Sequence, residues 1–356
     1  MSRYHRQELL PGIGSEGQQR LRESTVAVVG CGALGSNIAD LLARAGVGRL
    51  RIIDRDLVEL TNLQRQTLYA EADVGKPKAL AAATRLQAIN STIAIEPLAV
   101  DMNASNIRRH LEECDVIVDG LDNFQTRYLL NDYAVANHVP YVYGGAVATE
   151  GMSFAVLPPS TTEQESPWGT PTACLRCLFP EPPTAGTIPT CDTAGVIAPV
   201  VMMIAAHEVM QTIKILVGRH DDVDRSLMSI DVWNNETRRL APPPPRQDCP
   251  CCGKRDFPWL KGQEGVSSTM LCGRDAVQIL PPRNDFNLSL AALCDRLQQH
   301  GSFVHEDGIV RGTLQEEQSS SGESIQLTVF EDMRALISHI ESPERARAIY
   351  DRYVGS

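Results

Sequence analysis

The segment TVAVVGCGALG, residues 25–35, decides the fold of the first part of the chain. Its first five residues form a short β-branched run that is typical of a buried strand, and residues 33–45 are typical of a helix. Between them lies a G-x-G-x-x-G turn formed by Gly30, Gly32 and Gly35. Glycine allows a tight turn there and lets backbone N–H groups approach a phosphate at the helix N-terminus. The segment therefore predicts a strand–turn–helix unit that suits a nucleotide.

Strands and helices continue to alternate after this unit. The predicted strands cover residues 49–54, 93–100, 115–119 and 140–143, and the predicted helices cover residues 78–89, 123–137 and 195–217. Residues 158–190 are predicted as a long loop and residues 227–240 as a hairpin. Short apolar strands that alternate with helices imply a mostly parallel sheet covered on both faces. We therefore expect an α/β, Rossmann-like domain over residues 1–260.

A second, smaller domain is predicted after a stiff polyproline run at residues 242–245. Its predicted helices cover residues 287–300 and a last segment that opens at residues 342–344, where Ser precedes Pro. Its predicted strands cover residues 309–314, 325–330 and 335–340, and the Ser-rich residues 315–324 are predicted as a mobile loop. We expect a small α+β domain over residues 265–356.

Composition limits the classes of function. The chain has 356 residues and a formal net charge of -11, which argues against sequence-independent binding of nucleic acid. No apolar run reaches the length of a membrane span, and the N-terminus lacks the apolar core of a signal peptide. We therefore expect a soluble cytoplasmic protein that binds neither nucleic acid nor membrane.

The residues after the glycine turn favour a triphosphate over a dinucleotide. Asp54 ends the second strand, where a ribose hydroxyl would bind, so NAD is the obvious first candidate. The segment GKPK at residues 75–78 then places two of the five lysines of the chain at a helix start. It lacks the earlier glycine of a Walker A sequence. This pattern predicts a dinucleotide-type fold adapted to ATP.

The ten cysteines include two C-x-x-C pairs, Cys174 with Cys177 and Cys249 with Cys252. Without a secretion signal, this spacing favours metal ligation over disulfides. Cys251 lies inside the second pair, so it is an alternative to Cys249 or Cys252 as a ligand. Four other cysteines are predicted to be packing residues: Cys31, Cys114, Cys272 and Cys294. His207 is predicted to be a core or surface side chain rather than a ligand.

The first 255 residues or so resemble the MoeB/ThiF family of adenylyltransferases, relatives of ubiquitin-activating enzymes that activate small ubiquitin-like sulfur-carrier proteins. The segments that carry the resemblance are RYHRQ at residues 3–7, the glycine turn, DRD at 54–56, NLQRQ at 62–66, GKPK at 75–78, GLDN at 120–123, both cysteine pairs and TCDTAGV at 190–196. Their order over most of the chain makes the resemblance specific.

The resemblance implies that ATP and Mg²⁺ react with the C-terminal carboxylate of a carrier that ends in Gly-Gly, giving an acyl-adenylate and pyrophosphate. It places Gly30, Gly32 and Gly35 at the phosphates and Asp54 at the ribose. It implies that Asn62, Arg65 and Lys78 address the phosphates and that Asp122, next to Asn123, holds Mg²⁺. The residues alone leave Asp122 an alternative role as the N-cap of the following helix.

The resemblance also implies three further features. Arg6 would reach from one protomer into the ATP site of the other, which requires a homodimer. Cys174, Cys177, Cys249 and Cys252 would form a closed structural Zn²⁺ site. Cys191, close to a helix N-terminus, occupies the position of the cysteine that links covalently to the activated carrier or its sulfur in the family.

The end of the chain departs from many relatives. No rhodanese-like active-site loop follows the second cysteine pair, which implies a separate sulfur donor such as a cysteine desulfurase or sulfurtransferase. The segment LCGRDAVQ, residues 271–278, resembles an appendage on some bacterial thiazole-branch adenylyltransferases. It favours the carrier of thiamin (thiazole) synthesis, with the small subunit of molybdopterin synthase as the alternative.

Two other classes of function compete with this interpretation. An NAD-dependent oxidoreductase with a structural zinc would explain the glycine turn and Asp54 but would leave Arg65, Lys78 and Cys191 without roles. A non-catalytic scaffold that binds a ubiquitin-like partner is the other class. Arg6, Arg65, Lys78 and Asp122 occurring together argue against lost catalysis.

Overall fold

The chain divides into two compact units, Met1–Glu264 and Gly265–Ser356. The computed structural model describes residues 2–159, 166–183, 190–263, 268–270, 276–281, 289–319, 321–340 and 342–355.

The first unit is built on an eight-stranded sheet. Its strands are β1 (Thr25–Val29), β2 (Arg49–Ile53), β3 (Ala94–Leu98), β4 (Val116–Asp119), β5 (Tyr141–Val147), β6 (Glu150–Val156), β7 (Leu227–Asp231) and β8 (Glu236–Leu240). The spatial order is β3-β2-β1-β4-β5-β6-β7-β8. Strands β3 to β5 are parallel in this order, and β5 to β8 are antiparallel. The carboxyl ends of the parallel strands therefore meet at one edge, where open α/β sheets bind ligands.

Helices cover both faces of this sheet, which confirms the predicted fold class. They are α1 (His5–Glu8), α2 (Gly14–Glu23), α3 (Ala33–Ala45), α4 (Lys78–Ile89), α5 (Ile107–Leu111), α6 (Phe124–Asn137), α7 (Leu175–Leu178), α8 (Cys191–Ala194) and α9 (Ala198–Leu216). Apolar residues of α3, α4 and α9 form one core with the sheet, and those of α5, α6 and α7 form a second core on the other face. Short apolar strands buried on both sides require these two layers.

Two predicted boundaries in this unit were wrong. The strand predicted at residues 140–143 continues to Val147 and returns as β6, so a hairpin replaces a single strand. The helix predicted from residue 195 begins at Ala198, and the short helix α8 precedes it. Gly144 in β5 and Gly151 in β6 interrupt the pattern of apolar residues from which strands are predicted. Cβ atoms there would collide with Glu208 and Ile204 of α9, so the helix requires glycine beneath it.

Helix α9 is a core element. By length and composition alone it would be long and apolar enough to cross a membrane, yet 56% of its most apolar window is buried in the fold. Its Glu208 side chain is fully buried, and neither carboxyl oxygen has a hydrogen-bond partner among the described residues. Burial and the charge of Asp119 raise the pKa of Glu208 well above its ordinary value, although Arg127 opposes the shift. Burial therefore favours the protonated, neutral form of this side chain.

The second unit is an antiparallel sheet with two helices. Its strands are β9 (Ser268–Met270), β10 (Ala276–Ile279), β11 (Gly301–Glu306), β12 (Ile309–Gln318), β13 (Ser324–Phe330) and β14 (Ala335–Ser338), in the order β11-β12-β13-β14-β10-β9. Its helices are α10 (Leu290–Leu297) and α11 (Pro343–Tyr353), capped by the hydroxyls of Ser289 and Ser342. One apolar core joins the sheet to both helices.

Three expectations for this unit change. Residues 315–318, predicted as part of a mobile loop, continue β12, because Leu314 and Glu317 of that strand are buried. The helix predicted over residues 287–300 ends at Leu297, and Gly301 opens β11, where it pairs with Leu314. The predicted helix start at residue 287 and most of the segment 271–278, including Cys272, lie outside the described residues.

The buried acid on α9 predicts a pH-dependent gain in stability for Glu208→Gln. A folded-state pKa above the ordinary 4.5 means that the wild type loses stability as pH rises above 4.5, whereas Gln has no proton to lose. The free energy of unfolding of the variant, relative to wild type, should rise with pH at up to about 1.4 kcal/mol per pH unit. Urea unfolding followed by tryptophan fluorescence measures this in the first unit, since all three tryptophans lie there.

The matched control is Glu150→Gln, a change at an exposed glutamate on β6 that forms no ion pair within the described residues. The free energy of unfolding of this variant, relative to wild type, should not vary with pH. The same flat difference for Glu208→Gln would contradict a raised pKa of the buried Glu208.

Candidate active site and cysteine cluster

The glycine turn after β1 lies against the loop that follows β4. Gly30 has φ +86°, and a Cβ there would lie 2.6 Å from the Gly120 carbonyl oxygen. A Cβ on Gly35 would overlap the Gly30 carbonyl. At Gly32, by contrast, the nearest atom to an added Cβ is 3.8 Å away. Gly30 and Gly35 are therefore required by close backbone contacts, and Gly32 leaves open space at the N-terminus of α3, where a phosphate fits.

Asp54 holds this turn in place. Its carboxylate oxygens accept hydrogen bonds from the backbone N–H groups of Cys31 at 2.6 Å and Asp56 at 2.7 Å. Burial raises the pKa of Asp54, with Lys78 acting to lower it and Asp56 to raise it. Each oxygen keeps a second lone pair, so the chemistry of the group still suits a ribose hydroxyl. The structure thus adds a role in fixing the turn that the sequence did not indicate.

Lys78 is a buried cation at the same edge of the sheet. Its Nζ atom lies 3.2 Å from an Asp56 carboxylate oxygen, and its side chain is 5% exposed. Burial would lower the pKa of Lys78, but the carboxylates of Asp56, Asp54 and Asp122 raise it above its ordinary value. The ammonium group therefore keeps its charge at neutral pH. Lys76, its neighbour in the GKPK segment, instead pairs with Asp73 at the surface.

Asn62 and Arg65 lie on the segment between β2 and α4. Asn62 is buried, and its Oδ1 accepts the Glu59 N–H, so the side chain closes a short turn. Arg65 is half-buried, and one guanidinium nitrogen donates to the Thr61 carbonyl at 3.1 Å. Within the described residues, Arg65 forms no ion pair. Its charge is thus open to an anionic ligand.

Asp122 extends into solvent from the loop after β4. The sequence left it an alternative role as a helix cap, but Asn123 caps α6, because its Oδ1 accepts the Thr126 N–H at 2.9 Å. Asp122 is exposed. Its charge also raises the pKa values of Lys78 and Arg127, but it contributes less than the groups closer to them. An exposed carboxylate beside a phosphate site fits Mg²⁺, which is commonly held by one or two carboxylates and substrate phosphates.

Arg6 and Cys191 lie on short helices. Arg6 is exposed on α1 and forms no ion pair within the described part of its own chain. Cys191 opens α8 after the capping Thr190, and its Sγ lies 3.3 Å from the Ala146 carbonyl oxygen of β5. Cys191 is half-buried. Cys191 therefore lies beside β5. The neighbouring strand β4 leads to the loop that carries Asp122.

The two cysteine pairs come together. The Sγ–Sγ distances are 3.6 Å for Cys174–Cys249, 3.4 Å for Cys177–Cys252 and 4.0 Å for Cys174–Cys177, and all four sulfurs lie within 4.8 Å of one another. Zn–S bonds of about 2.3 Å in a tetrahedron place the sulfurs about 3.8 Å apart. The cluster therefore fits a closed Cys₄ zinc site. Cys251 lies beside it, and its Sγ accepts from the Asn131 side-chain amide at 3.2 Å.

Cys31 and Cys114 are buried thiols whose surroundings favour the protonated, unreactive form. Burial raises the pKa of Cys31 to about 12 and that of Cys114 to about 11. Cys294 is also buried, in the second unit. His207 lies within α9 with its Nε2 3.5 Å from an Asp224 carboxylate oxygen. These residues have packing or local structural roles.

The structure adds a buried ion pair that the sequence did not indicate. Asp119, the last residue of β4, lies 3.1 Å from the Arg127 Nε of α6 and accepts a hydrogen bond from Tyr141. Asp119 and Tyr141 are fully buried, and Arg127 is 6% exposed. A helix arginine in a single sequence looks like any solvated charge. Only the GLDN segment between these two residues marked the region.

The chain is similar to sulfur-carrier adenylyltransferases. Residues 4–251 match the model of the ThiF family. The "Sulfur carrier protein ThiS adenylyltransferase" of Bacillus subtilis is 39% identical over 99% of this chain and 99% of its own length. The "Sulfur carrier protein adenylyltransferase" of Thermus thermophilus is 39% identical over 71% of this chain and 91% of its own. The "Adenylyltransferase and sulfurtransferase MOCS3" of Aedes aegypti is 38% identical over 71% of this chain and 55% of its own.

A solved structure has a fold similar to most of this chain. The crystal structure of Escherichia coli MccB with succinimide has a TM-score of 0.60, 24% identity, and coverage of 71% of this chain and 75% of its own. At this identity the likeness concerns the fold alone.

The cysteine geometry predicts one zinc ion per chain and distinguishes the ligands. Cys252→Ser should lower the zinc content to well below one per chain and lower the melting temperature, because an incomplete Cys₄ site binds weakly and zinc binding stabilises the fold. Zinc is measured by elemental analysis of the purified full chain, and melting by calorimetry.

The control is Cys251→Ser, which should keep one zinc per chain because Cys251 lies outside the four converging sulfurs. Loss of zinc from this variant, with retention in Cys252→Ser, would contradict the assignment of Cys252 and favour Cys251 as the fourth ligand.

Proposed function

The chain belongs to the ThiF family, and we propose that it uses ATP to adenylylate the C-terminal Gly-Gly carboxylate of a small ubiquitin-like sulfur-carrier protein. The similarity over 99% of both chains to the ThiS adenylyltransferase of Bacillus subtilis carries this proposal. The arrangement of Gly32, Asp54, Lys78 and Asp122 at one edge of the sheet supports it.

We propose the carrier of thiamin synthesis as the substrate. The match to the ThiS adenylyltransferase includes residues 265–356, whereas the match to the Aedes aegypti MOCS3 protein covers 71% of this chain. The second unit therefore favours the thiazole branch. The small subunit of molybdopterin synthase is the alternative carrier, since the adenylation chemistry would be the same. The sulfur donor would be a separate protein, a cysteine desulfurase or sulfurtransferase, and the reaction would take place in the cytoplasm.

The proposed reaction converts a poor acyl donor into a good one. A carboxylate oxygen of the carrier attacks the α-phosphorus of ATP, the bond from that phosphorus to the bridging oxygen breaks, and pyrophosphate leaves with the electron pair. Such chemistry needs positioning and charge stabilisation. Gly32 and Asn62 would position the phosphates, Asp54 would bind the ribose, and Arg65 would counter the charge of the leaving pyrophosphate.

Lys78 would supply a second positive charge without a change in protonation. Its raised pKa keeps it charged at neutral pH, and its partner Asp56 holds it beside the turn before ATP binds. Asp122, next to Asn123 in the nucleotide site, would hold Mg²⁺, which supplies positive charge at the phosphates when bound. The protein therefore presents preorganised charges to a polyphosphate, and such groups need little rearrangement during the reaction.

Cys191 would act after adenylation. Its thiolate would attack the carrier's acyl carbon, AMP would leave with the electron pair of the broken acyl–phosphate bond, and a thioester would form. The contact with Ala146 places the sulfur beside β5, at the strand adjacent to the Asp122 loop. The Cys₄ cluster would have only a structural role, because four protein ligands leave no open position on zinc.

A homodimer would complete the site. Arg6 is exposed and has no ion-pair partner within the described part of its own chain. On α9, Met202, Met203 and Met210 are each more than 40% exposed, although ten residues of the helix are buried. An exposed apolar face on a core helix is typical of a contact surface. We therefore place the dimer contact on this face and Arg6 at the partner's phosphates.

The first test is exchange of radiolabelled pyrophosphate into ATP with the purified chain and a carrier that ends in Gly-Gly. We expect exchange with a thiazole-type carrier and none with a carrier that lacks the terminal glycine, because the reversible step needs the carboxylate. Lys78→Met should lower exchange by about 100-fold, as loss of one preorganised charge commonly does.

Lys254→Met, at an exposed lysine near the second cysteine pair, is the matched control and should retain wild-type exchange. Exchange with a molybdopterin-type carrier only would reassign the pathway. No exchange with either carrier, while ATP still binds, would overturn the proposed reaction.

The dimer proposal predicts complementation between two strongly impaired variants. Arg6→Ala and Asp122→Ala should each keep only a small, measurable residual exchange alone, because each lacks one part of every site. Mixed at equal concentration and allowed to exchange subunits, they should recover about a quarter of wild-type exchange: half of the dimers are mixed, and each mixed dimer has one intact site of two.

The activity of the mixture is compared with that of each variant alone and of a wild-type sample at the same total concentration. A mixture that shows formation of mixed dimers by native mass spectrometry but no recovered activity would show that Arg6 does not act across the dimer.

A further inference from the structure

A buried polar network lies behind the loop that carries Asp122. Arg127 on α6 donates from Nε to Asp119 at 3.1 Å and from Nη2 to the carbonyl oxygens of Leu121 at 2.6 Å and Gly144 at 2.8 Å. Asp119 in turn accepts the Leu121 N–H at 2.8 Å and the Tyr141 hydroxyl. The guanidinium thus connects the end of β4, the following loop and β5.

This network holds both backbone polar groups of Leu121, the residue directly before Asp122. Its N–H is fixed by Asp119, and its C=O is fixed by Arg127. On the other side of Asp122, Asn123 is fixed as the cap of α6. The Asp122 side chain is exposed, but the backbone on both sides of it is anchored to buried groups. The position of its Cα atom and the direction of its Cα–Cβ bond are therefore fixed, which limits where the carboxylate can lie.

The rings around Arg127 keep water from the network. The guanidinium carbon lies 5.1 Å from the Tyr143 ring centroid and 5.5 Å from the Phe124 ring centroid. Planar stacking and a forked set of donors are properties of arginine that lysine does not share. A lysine at this position would keep the charge but lose the simultaneous contacts with Asp119, Leu121 and Gly144.

We propose that Arg127, together with Asp119 and Tyr141, is a positioning residue for the reaction: it sets the direction in which Asp122 presents its carboxylate to Mg²⁺ and the phosphates. This inference rests on the proposed function, since it requires a role for Asp122 in adenylation. Arg127 itself touches no substrate. Its effect passes through the Leu121 backbone, so its loss alters the use of Mg²⁺ rather than the binding of ATP.

The test measures pyrophosphate exchange by the full chain over a range of Mg²⁺ concentrations. Arg127→Lys should lower the exchange rate by about 100-fold, the loss expected when a catalytic group is misplaced by about an ångström. It should also raise the Mg²⁺ concentration for half-maximal rate and leave the Kd of ATP without Mg²⁺ unchanged. A merely structural loss would lower the fraction of folded protein but leave the Mg²⁺ dependence as in wild type.

Tyr141→Phe keeps the proposal testable where Arg127→Lys fails to fold. It removes one hydrogen bond to Asp119 and should lower exchange by about tenfold, with the same shift in Mg²⁺ dependence. The matched control is Tyr133→Phe, a buried tyrosine of α6 outside the network, which should behave as wild type.

A double-mutant cycle with Asp122→Ala shows whether the network acts through Asp122. We expect Arg127→Lys or Tyr141→Phe to cause no further loss in the Asp122→Ala background. Full additivity, or an unchanged rate in Asp122→Ala alone, would overturn the positioning role. Absence of exchange in the wild type would instead refute the proposed function, so the two failures are distinguishable.

Discussion

The backbone contact between the glycine turn and the loop after β4 is the constraint on which the site depends. A Cβ on Gly30 would lie 2.6 Å from the Gly120 carbonyl oxygen, and a Cβ on Gly120 would lie 2.8 Å from the Cα of Gly35. Protein interiors cannot accept such distances without a backbone shift. The three glycines therefore bring two loops together with no side chain between them. This contact sets the distance between the phosphate end of α3 and the loop that carries Asp122.

Charges buried behind this contact are paired before any substrate binds. Lys78 has Asp56 at 3.2 Å, and Arg127 has Asp119 at 3.1 Å. Removing an ion from water costs several kcal/mol, so a buried charge is tolerated only with a partner and further hydrogen bonds. The two pairs have different consequences. Lys78 can share its charge with an incoming phosphate, whereas the Nε and Nη2 donors of Arg127 are already bound to Asp119, Leu121 and Gly144. One pair therefore suits binding and the other suits positioning.

Features that depend on short sequence patterns could be predicted from the sequence, whereas features that depend on long-range contacts could not. The glycine turn and the C-x-x-C pairs were recognisable because the chemistry depends on short, fixed spacings. Which of Cys249, Cys251 and Cys252 are ligands could not be predicted, because Cys251 is held by Asn131, 120 positions away. The β5–β6 hairpin was missed because Gly144 and Gly151 interrupt its pattern, and only the position of α9 explains them. Arg127 gave no signal, since its partners become neighbours only when α6 packs on β4. The roles of the predicted ATP-site residues and of Arg6 and Cys191 stay predictions, because they depend on ligands and on a second chain.

Strand β5 connects the two proposed chemical steps because it runs past the end of β4. The last pair between these strands joins Val118 to Val142, so the residues of β5 beyond this pair have no β4 partner. Beyond it, the Gly144 carbonyl accepts from Arg127, and the Ala146 carbonyl lies 3.3 Å from the Cys191 sulfur. Backbone groups that lose a strand partner must find another one, and here side chains from α6 and α8 supply it. The extension of one strand thus brings the support of the Asp122 loop and the proposed nucleophile within two residues of each other.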